Sequence, residues 1–163
     1  MKMRTLLVLA CLSAPVAAQA SFTAYGTGCN PSNPPPLIRN SGLPVLGTTF
    51  TVSFAALPSG RTPVSEDWPL FLMGLQQTQV PVPVLSSLQP PNCFLYTSTE
   101  FVVPMPWLGS SFDNQVAIAV PNNAALMGFT LYMQWAELYS SCRPTCVPSM
   151  IRVTNGAAAV LGL

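Results

Sequence analysis

The chain has 163 residues, of which half are apolar and only 7% are charged, and it contains no histidine. Its few arginines are scattered, so the sequence has no basic stripe for a nucleic-acid backbone or an anionic lipid surface. Without histidine, Ser–His–acid and Cys–His catalysis are excluded.

The first twenty residues are typical of a secretory signal peptide. A basic start, an apolar run and a pair of small residues around a polar one follow each other, at residues 1–4, 6–12 and 18–20. We expect cleavage after Ala20 and one secreted domain over residues 21–163. The apolar run is shorter than the roughly 20 residues that a membrane-spanning helix needs. It is also too short for lipidation at Cys11, so we expect a product released from the cell or held at its surface.

Four cysteines remain after the leader: Cys29, Cys93, Cys142 and Cys146. An even number in an exported chain indicates two disulfides, with three possible pairings. We favour Cys29–Cys93, which would contribute about 4 kcal/mol on the chain-entropy model, and Cys142–Cys146, which would contribute about 2 kcal/mol. A zinc site is disfavoured because the C-x2-C pairs are missing. A redox pair is disfavoured because three residues separate the last two cysteines.

Strand signals follow one another along the mature chain. Strands are predicted over residues 49–56, 70–75, 93–98, 100–103, 115–120, 129–137, 150–154 and 157–161. Residues 49–56 alternate between apolar and polar, which indicates a half-buried strand. Residues 70–75 are continuously apolar, which favours a central strand covered on both faces, with Trp68 packed in the core before it. Prolines confine residues 80–85 to an edge or a connector.

The alternation over residues 129–137 assigns side chains to two faces. The inward set is Phe129, Leu131, Met133 and Trp135, and the outward set is Thr130, Tyr132 and Gln134. Glu137 is expected to face water at the end of this strand. Before it, residues 124–128 are predicted to form one helical turn that ends at Gly128.

The dipeptide Asn155-Gly156 between two apolar runs is a strong signal for a tight β-hairpin. Many short strands separated by turns, in a chain with 18 prolines, favour a sandwich or a barrel. The uneven strand spacing favours the sandwich. The predicted fold is therefore all-β, a single-domain antiparallel two-sheet β-sandwich with short Pro-rich connections.

Seven short motifs appear in a consistent order along the mature chain. They are SFTAYGTGC at 21–29, LPVLG at 43–47, FLMG at 71–74, NCFL at 92–95, VPNNAALMG at 120–128, LYMQW at 131–135 and TNG at 154–156. Together they resemble an uncharacterised secreted β-rich module of planctomycete-type and related bacteria. The resemblance implies an exported module, sometimes appended to larger surface proteins, and implies no activity. Asn92, where related modules usually have Gly, and the 142–146 insertion depart from the pattern.

Carboxylate pairs, as in glycoside hydrolysis, are the enzyme class that this composition leaves open. The candidates are Glu66, Asp67, Glu100, Asp113 and Glu137. Each is most simply a solvated side chain, and calcium loops cluster more oxygen ligands than these residues offer. We therefore expect no enzyme activity, no cofactor and no metal.

Aromatic side chains offer a binding hypothesis. Trp107 lies in a Pro- and Gly-rich segment, and with Tyr139, Tyr132 and Gln134 it forms the candidate ligand-binding set. The expected function is a non-catalytic structural or interaction module of the cell surface or extracellular space. Its expected partners are envelope components, glycans or a second copy, because a low-charge apolar edge strand favours self-association. The alternative is a carbohydrate-binding, lectin-like module.

Overall fold

The computed structural model describes residues 18–29, 35–55, 68–85, 92–105, 114–142 and 146–163. The strands in these ranges are β1 (Ser21–Tyr25), β2 (Leu37–Ser41), β3 (Thr49–Ala55), β4 (Trp68–Gly74), β5 (Gln77–Pro81), β6 (Phe94–Thr97), β7 (Phe101–Pro104), β8 (Gln115–Ala119), β9 (Thr130–Cys142), β10 (Cys146–Val153) and β11 (Gly156–Val160). A 3-10 helix spans Ala124–Leu126, and Gly128 follows with a φ of 79°. The predicted helical turn is therefore confirmed, with 3-10 geometry. None of the described residues forms a helix long and apolar enough to cross a membrane.

The strands form two main sheets and one ribbon, which confirms the predicted all-β antiparallel sandwich. The large sheet has the order β1-β11-β9-β4-β7, and β10 also pairs with β9. The small sheet has the order β2-β3-β8. Strands β5 and β6 pair only with each other within the described residues, and we call this pair the ribbon.

The main core lies between the two sheets. Phe50, Val52 and Phe54 on β3 are buried, as their alternation predicts, while the residues between them contact solvent more. They pack against the inner face of the large sheet, where Trp135 lies 6.1 Å from the Phe54 ring and 5.0 Å from the Phe71 ring, measured between centroids. Tilted aromatic pairs of this kind add to the free energy gained from apolar burial.

The ribbon forms a third layer on the outer face of the large sheet. Leu72 on β4 is buried on this side, whereas Phe71 is buried on the inner side, so the predicted double coverage of β4 is confirmed. The Cys29–Cys93 disulfide, with a Cα–Cα distance of 5.3 Å, attaches the layer. That predicted pairing is also confirmed.

The predicted hairpin at Asn155-Gly156 is wrong. β10 and β11 do not pair with each other; they lie end to end along the same edge of β9. At the junction, the Thr154 amide donates to the Trp135 carbonyl at 3.0 Å. The Asn155 side-chain oxygen accepts from the Ile38 amide at 3.0 Å. Because tertiary partners satisfy the polar groups of this dipeptide, it continues the sheet edge instead of reversing the chain.

Four side chains lie elsewhere than predicted. Phe129 is 42% exposed because it precedes the first residue of β9, and Trp68 is 57% exposed instead of core-packed. Gln134 and Glu137 are buried instead of facing water. Glu137 forms a 2.6 Å ion pair with Arg152, its register partner on β10. The two faces of β9 are therefore both covered over much of its length.

Candidate functional site

The outer face of the large sheet carries an apolar surface. Its members are residues whose side chains point away from the core on adjacent strands: Leu70 and Leu72 on β4, Ala136 and Leu138 on β9, and Ile151 on β10. The register pairs Leu70 with Ala136 and Leu138 with Ile151. Register partners share a face of the sheet, so these side chains form one continuous patch.

Gln134 anchors the ribbon over one end of this patch. Its side-chain oxygen accepts a hydrogen bond from the Tyr96 amide at 2.8 Å. Its side-chain nitrogen donates to the carbonyls of Phe94, at 3.0 Å, and Thr154, at 2.7 Å. A fully buried amide thus satisfies three backbone groups that would otherwise be desolvated without a partner.

A cleft of about 270 Å³ lies between the ribbon layer and the sheet. Its lining residues are almost all apolar: Leu70, Leu72, Val82, Pro83, Leu95, Thr99, Val102, Ala136, Leu138 and Ile151. Among these lining residues none carries a charge, and Thr99 has the one polar side chain. Such a cleft suits an apolar group, because a polar ligand would lose hydrogen bonds to water without replacing them.

The rim of the cleft is apolar and open to solvent. Trp68 is the register partner of Leu138 and shares its face, and it is 57% exposed. Val102 lines the cleft and is 49% exposed. Val84, which directly follows the lining residue Pro83, is 64% exposed. A group of large exposed apolar side chains on an otherwise folded sheet is typical of an interaction surface.

Three tyrosines form a separate cluster between the large sheet, which contributes Tyr25 and Tyr132, and the ribbon, which contributes Tyr96. Tyr25 contacts Tyr96 and Tyr132 edge to face, with centroid distances of 5.9 Å and 6.4 Å. The Tyr25 hydroxyl donates to the Tyr96 carbonyl at 2.7 Å, and the Tyr96 hydroxyl accepts from the Thr27 amide at 3.3 Å. Partial burial, and then the neighbouring Tyr132 and Tyr96, raise the pKa of Tyr25 to about 12. These rings therefore pack and hydrogen-bond within the fold.

The four predicted ligand-binding residues do not form one described site. Gln134 is buried beneath the ribbon and Tyr132 is half-buried in the tyrosine cluster. Trp107 lies outside the described residues. Tyr139 lies on β9 opposite Met150, and its side chain is likewise outside the described part. The predicted sugar site therefore remains a prediction, whereas the described residues bring together Leu-, Val- and Ile-rich surfaces.

The two described carboxylates are far apart. Glu137 is the register partner of Pro69 near one end of β4, whereas Glu100 accepts from the Leu75 amide at 3.2 Å beyond the other end. Six residues of extended chain separate these positions by about 20 Å, more than an acid–base pair in glycoside hydrolysis spans. The hydrogen bond from Ser98 lowers the pKa of Glu100. The other candidates lie outside the described residues: Glu66, Asp67 and Asp113.

Metal ligands are sparse in the same part of the chain. The described residues contain no group of three or more His, Cys, Asp or Glu side chains placed to hold a metal ion. Cys29 and Cys93 are consumed by their disulfide, which rules out the four-thiolate zinc site. Cys142 and Cys146 are register partners in β9 and β10. Their backbone spacing suits a cross-strand disulfide, which remains a prediction.

Sequence reasoning missed the cleft, although one signal for it was present. Residues 133–138 are not strictly alternating, because Ala136 and Leu138 are apolar although they continue the spacing of two from the outward residues Tyr132 and Gln134. Apolar residues at both the odd and the even positions of a strand indicate that both of its faces are covered. That pattern predicts a third layer over β9, and the cleft lies where this layer ends.

No protein-family model matches the chain. No curated protein and no solved structure matches it either.

Proposed function

We propose that this protein is an exported, non-catalytic interaction module of the cell surface or extracellular space. The observation that carries the proposal is the apolar cleft and its exposed rim, of which Trp68 is the largest member. The leader-like residues 1–20 and the Cys29–Cys93 disulfide support export, because disulfides persist in oxidising compartments. The resemblance to exported bacterial modules supports the same location.

A non-catalytic role is supported by the chemistry of the side chains. The chain has no histidine, and its two described glutamates, Glu100 and Glu137, lie beside opposite ends of β4. Of these, Glu137 is occupied by its ion pair with Arg152. An apolar surface of this kind gains free energy by removing its area from water, at roughly 25 cal/mol per Å². Contact with an apolar partner is therefore the activity that these groups favour.

A carbohydrate-binding module remains the alternative, and the exposed Trp68 favours it. A flat aromatic ring on a sheet face can stack on a sugar ring. Sugar recognition also needs hydrogen-bonding groups around the ring, and among the described lining residues only Thr99 supplies a polar side chain. This lining favours the apolar partner over the sugar.

The test is retention of the purified, oxidised protein by envelope fractions of the producing cell and by a panel of polysaccharides. Trp68→Ser removes both the ring and the apolar surface, whereas Trp68→Leu keeps the apolar surface and removes the ring. We expect retention by envelope material to be lost with Ser and kept with Leu. Leu37→Ser, at a 42% exposed position on the small sheet, is the matched control and should leave retention unchanged.

Saturable binding to one glycan that both Trp68 variants abolish would contradict the proposal and support the lectin-like alternative. Retention that none of the variants alters would show that the cleft rim is not the contact surface.

A further inference from the structure

The lining of the cleft restricts what can fill it. Thr99 is exposed and marks the open side, while Ala136 and Leu72 are 5% and 4% exposed and mark the floor. Ordered water needs two to four polar partners, and empty apolar cavities therefore stay dry or bind hydrocarbons. The floor offers no such partner from the described lining side chains, so a ligand in the deep part would have to be hydrocarbon.

The size of the cleft restricts the occupant further. A cavity of about 150 Å³ accommodates benzene, which has six carbons. By the same ratio, 270 Å³ accommodates about ten carbons. One hydrocarbon chain of that size fits.

The shape of the lined surface favours a linear chain. Val102, Leu72, Ala136 and Ile151 lie on the adjacent strands β7, β4, β9 and β10. Four neighbouring strands at about 4.8 Å spacing span about 14 Å. The lined surface is therefore long enough across the strands to accommodate one extended hydrocarbon chain.

The charge of the lining predicts the head group. No described lining residue carries a positive charge that could pair with a carboxylate. A carboxylate head would therefore find no ion-pair partner among the described lining residues. A hydroxyl or ester head needs no such partner, and it can hydrogen-bond to water at the open side.

We propose that the cleft binds the chain of a neutral single-chain lipid of about ten carbons, with its polar head at the mouth beside Thr99. This inference rests on the proposed function, since it names the chemistry of the partner that the apolar surface contacts. A free lipid molecule is the source that we assign, because the volume of the cleft corresponds to one chain.

The experiment is calorimetric titration of the oxidised protein with 1-decanol, with decanoate, with 1-butanol and with phosphatidylcholine vesicles. We expect 1-decanol to bind at least tenfold more tightly than 1-butanol, because each buried methylene contributes about 0.8 kcal/mol. We expect decanoate to bind more weakly than 1-decanol, and the vesicles not to bind.

Two variants in the cleft and one control variant on the small sheet locate the site. Ala136→Leu adds three carbons to the floor of the cleft and should weaken 1-decanol binding at least tenfold. Ala117→Leu makes the same change at an exposed position on β8 of the small sheet and should leave binding unchanged. Val102→Asp, at a half-exposed position, places a carboxylate at the mouth and should also weaken binding. This third variant keeps the test valid if Ala136→Leu does not fold, which circular dichroism checks.

Absence of 1-decanol binding, or binding that neither cleft variant changes, would overturn the proposal. Tighter binding of decanoate or of vesicles than of 1-decanol would overturn the assignment of a neutral single-chain lipid.

Retention by envelope material is measured separately. If Trp68→Ser abolishes that retention while 1-decanol does not bind, the proposed interaction module is supported and the proposed lipid ligand is wrong. If 1-decanol binds in the cleft while envelope material is not retained, the proposed function is wrong and the proposed lipid ligand is supported.

Discussion

The side chain of Gln134 joins three parts of the fold. It lies on β9, accepts from β6 and donates to β6 and to the junction between β10 and β11. Its burial follows from those bonds, because a buried amide is tolerated only when its donors and acceptors are satisfied. A polar residue at an alternating position therefore serves here as a connector between layers and not as a surface group.

Gln134→Leu is expected to lower the free energy of unfolding by about 3 kcal/mol, because three buried backbone groups lose their partner. Urea denaturation measures this loss. The same substitution at the exposed Gln115 on β8 should change stability by less than about 0.5 kcal/mol. Equal effects of the two substitutions would show that the Gln134 amide is not a structural connector.

The Tyr25 hydroxyl makes stability depend on alkaline pH. Its pKa is about 12 in the folded protein and about 10 in an unfolded chain. Between these values the unfolded chain loses the proton first, so stability is fully present below pH 10 and falls as pH rises toward 12. Tyr25→Phe should flatten this decline while costing about 1 kcal/mol at neutral pH through the lost hydrogen bond. Unfolding curves recorded from pH 7 to 12 check both effects, and an unchanged slope would contradict the assignment.

At the scale of elements, β9 organises the large sheet. Its first half pairs with β11 and its second half with β10 along one edge, while β4 occupies the other edge. The Asn155-Gly156 pair therefore sits inside a sheet edge. Both Asn155 and Gly156 are buried, whereas residues of a hairpin turn face solvent. The local dipeptide favours a turn, and the long partner strand overrides that preference.

Gly156 is required here by space and not by its φ angle, since it is not among the glycines with positive φ. A Cβ at this position would lie 2.8 Å from side-chain atoms of Tyr25 and Tyr96. Gly156→Ala should therefore destabilise the protein by about 2 kcal/mol through overpacking.

Gly42→Ala is the comparison for that substitution. Gly42 has a φ of 80° and ordinary contact distances around its absent Cβ, so the cost there comes from backbone conformation and should be about 1 kcal/mol. Thermal denaturation of both variants measures the difference. A harmless Gly156→Ala would contradict the close packing of the two rings.

At the scale of the whole molecule, the Cys29–Cys93 disulfide joins residues that are 64 positions apart in sequence. Replacing both cysteines by alanine should lower the free energy of unfolding by about 4 kcal/mol, because the unfolded chain regains loop entropy. The same replacement at Cys142 and Cys146 should cost about 2 kcal/mol if the predicted short-loop disulfide forms. Denaturation curves and non-reducing peptide maps test both bonds, and a larger loss at the short loop would contradict the entropic ranking.

The predicted leader boundary falls within the folded region. Ala20 is 4% exposed, and the Leu163 amide donates to the Ala18 carbonyl at 3.2 Å. Gly162 lies so close to this segment that a Cβ there would meet the Ala18 carbonyl at 2.3 Å. A chain that begins at Ser21 should therefore be about 1–2 kcal/mol less stable than one that begins at Ala18. Equal unfolding midpoints would show that residues 18–20 contribute nothing.

The molecule has three layers, whereas the predicted sandwich has two. The alternation of β3 is local, so its buried Phe50, Val52 and Phe54 could be predicted. The apolar run of β4 likewise predicts its central place. The ribbon is different, because its position depends on Gln134 and on a disulfide between residues distant in sequence. No local sequence pattern predicts the Gln134 hydrogen bonds that hold the ribbon in place.

The absence of histidine chemistry follows from the sequence alone. The sequence also predicts an all-β fold and the Cys29–Cys93 pairing, which are confirmed, and export, which stays a prediction. The tertiary structure decided the burial of Gln134 and Glu137, the exposure of Trp68 and the end-to-end arrangement of β10 and β11. It also created the cleft. The physical reason is that a strand's period of two defines two faces but not what covers either of them. Coverage depends on contacts between residues far apart in the chain, and those contacts form only when the layers pack.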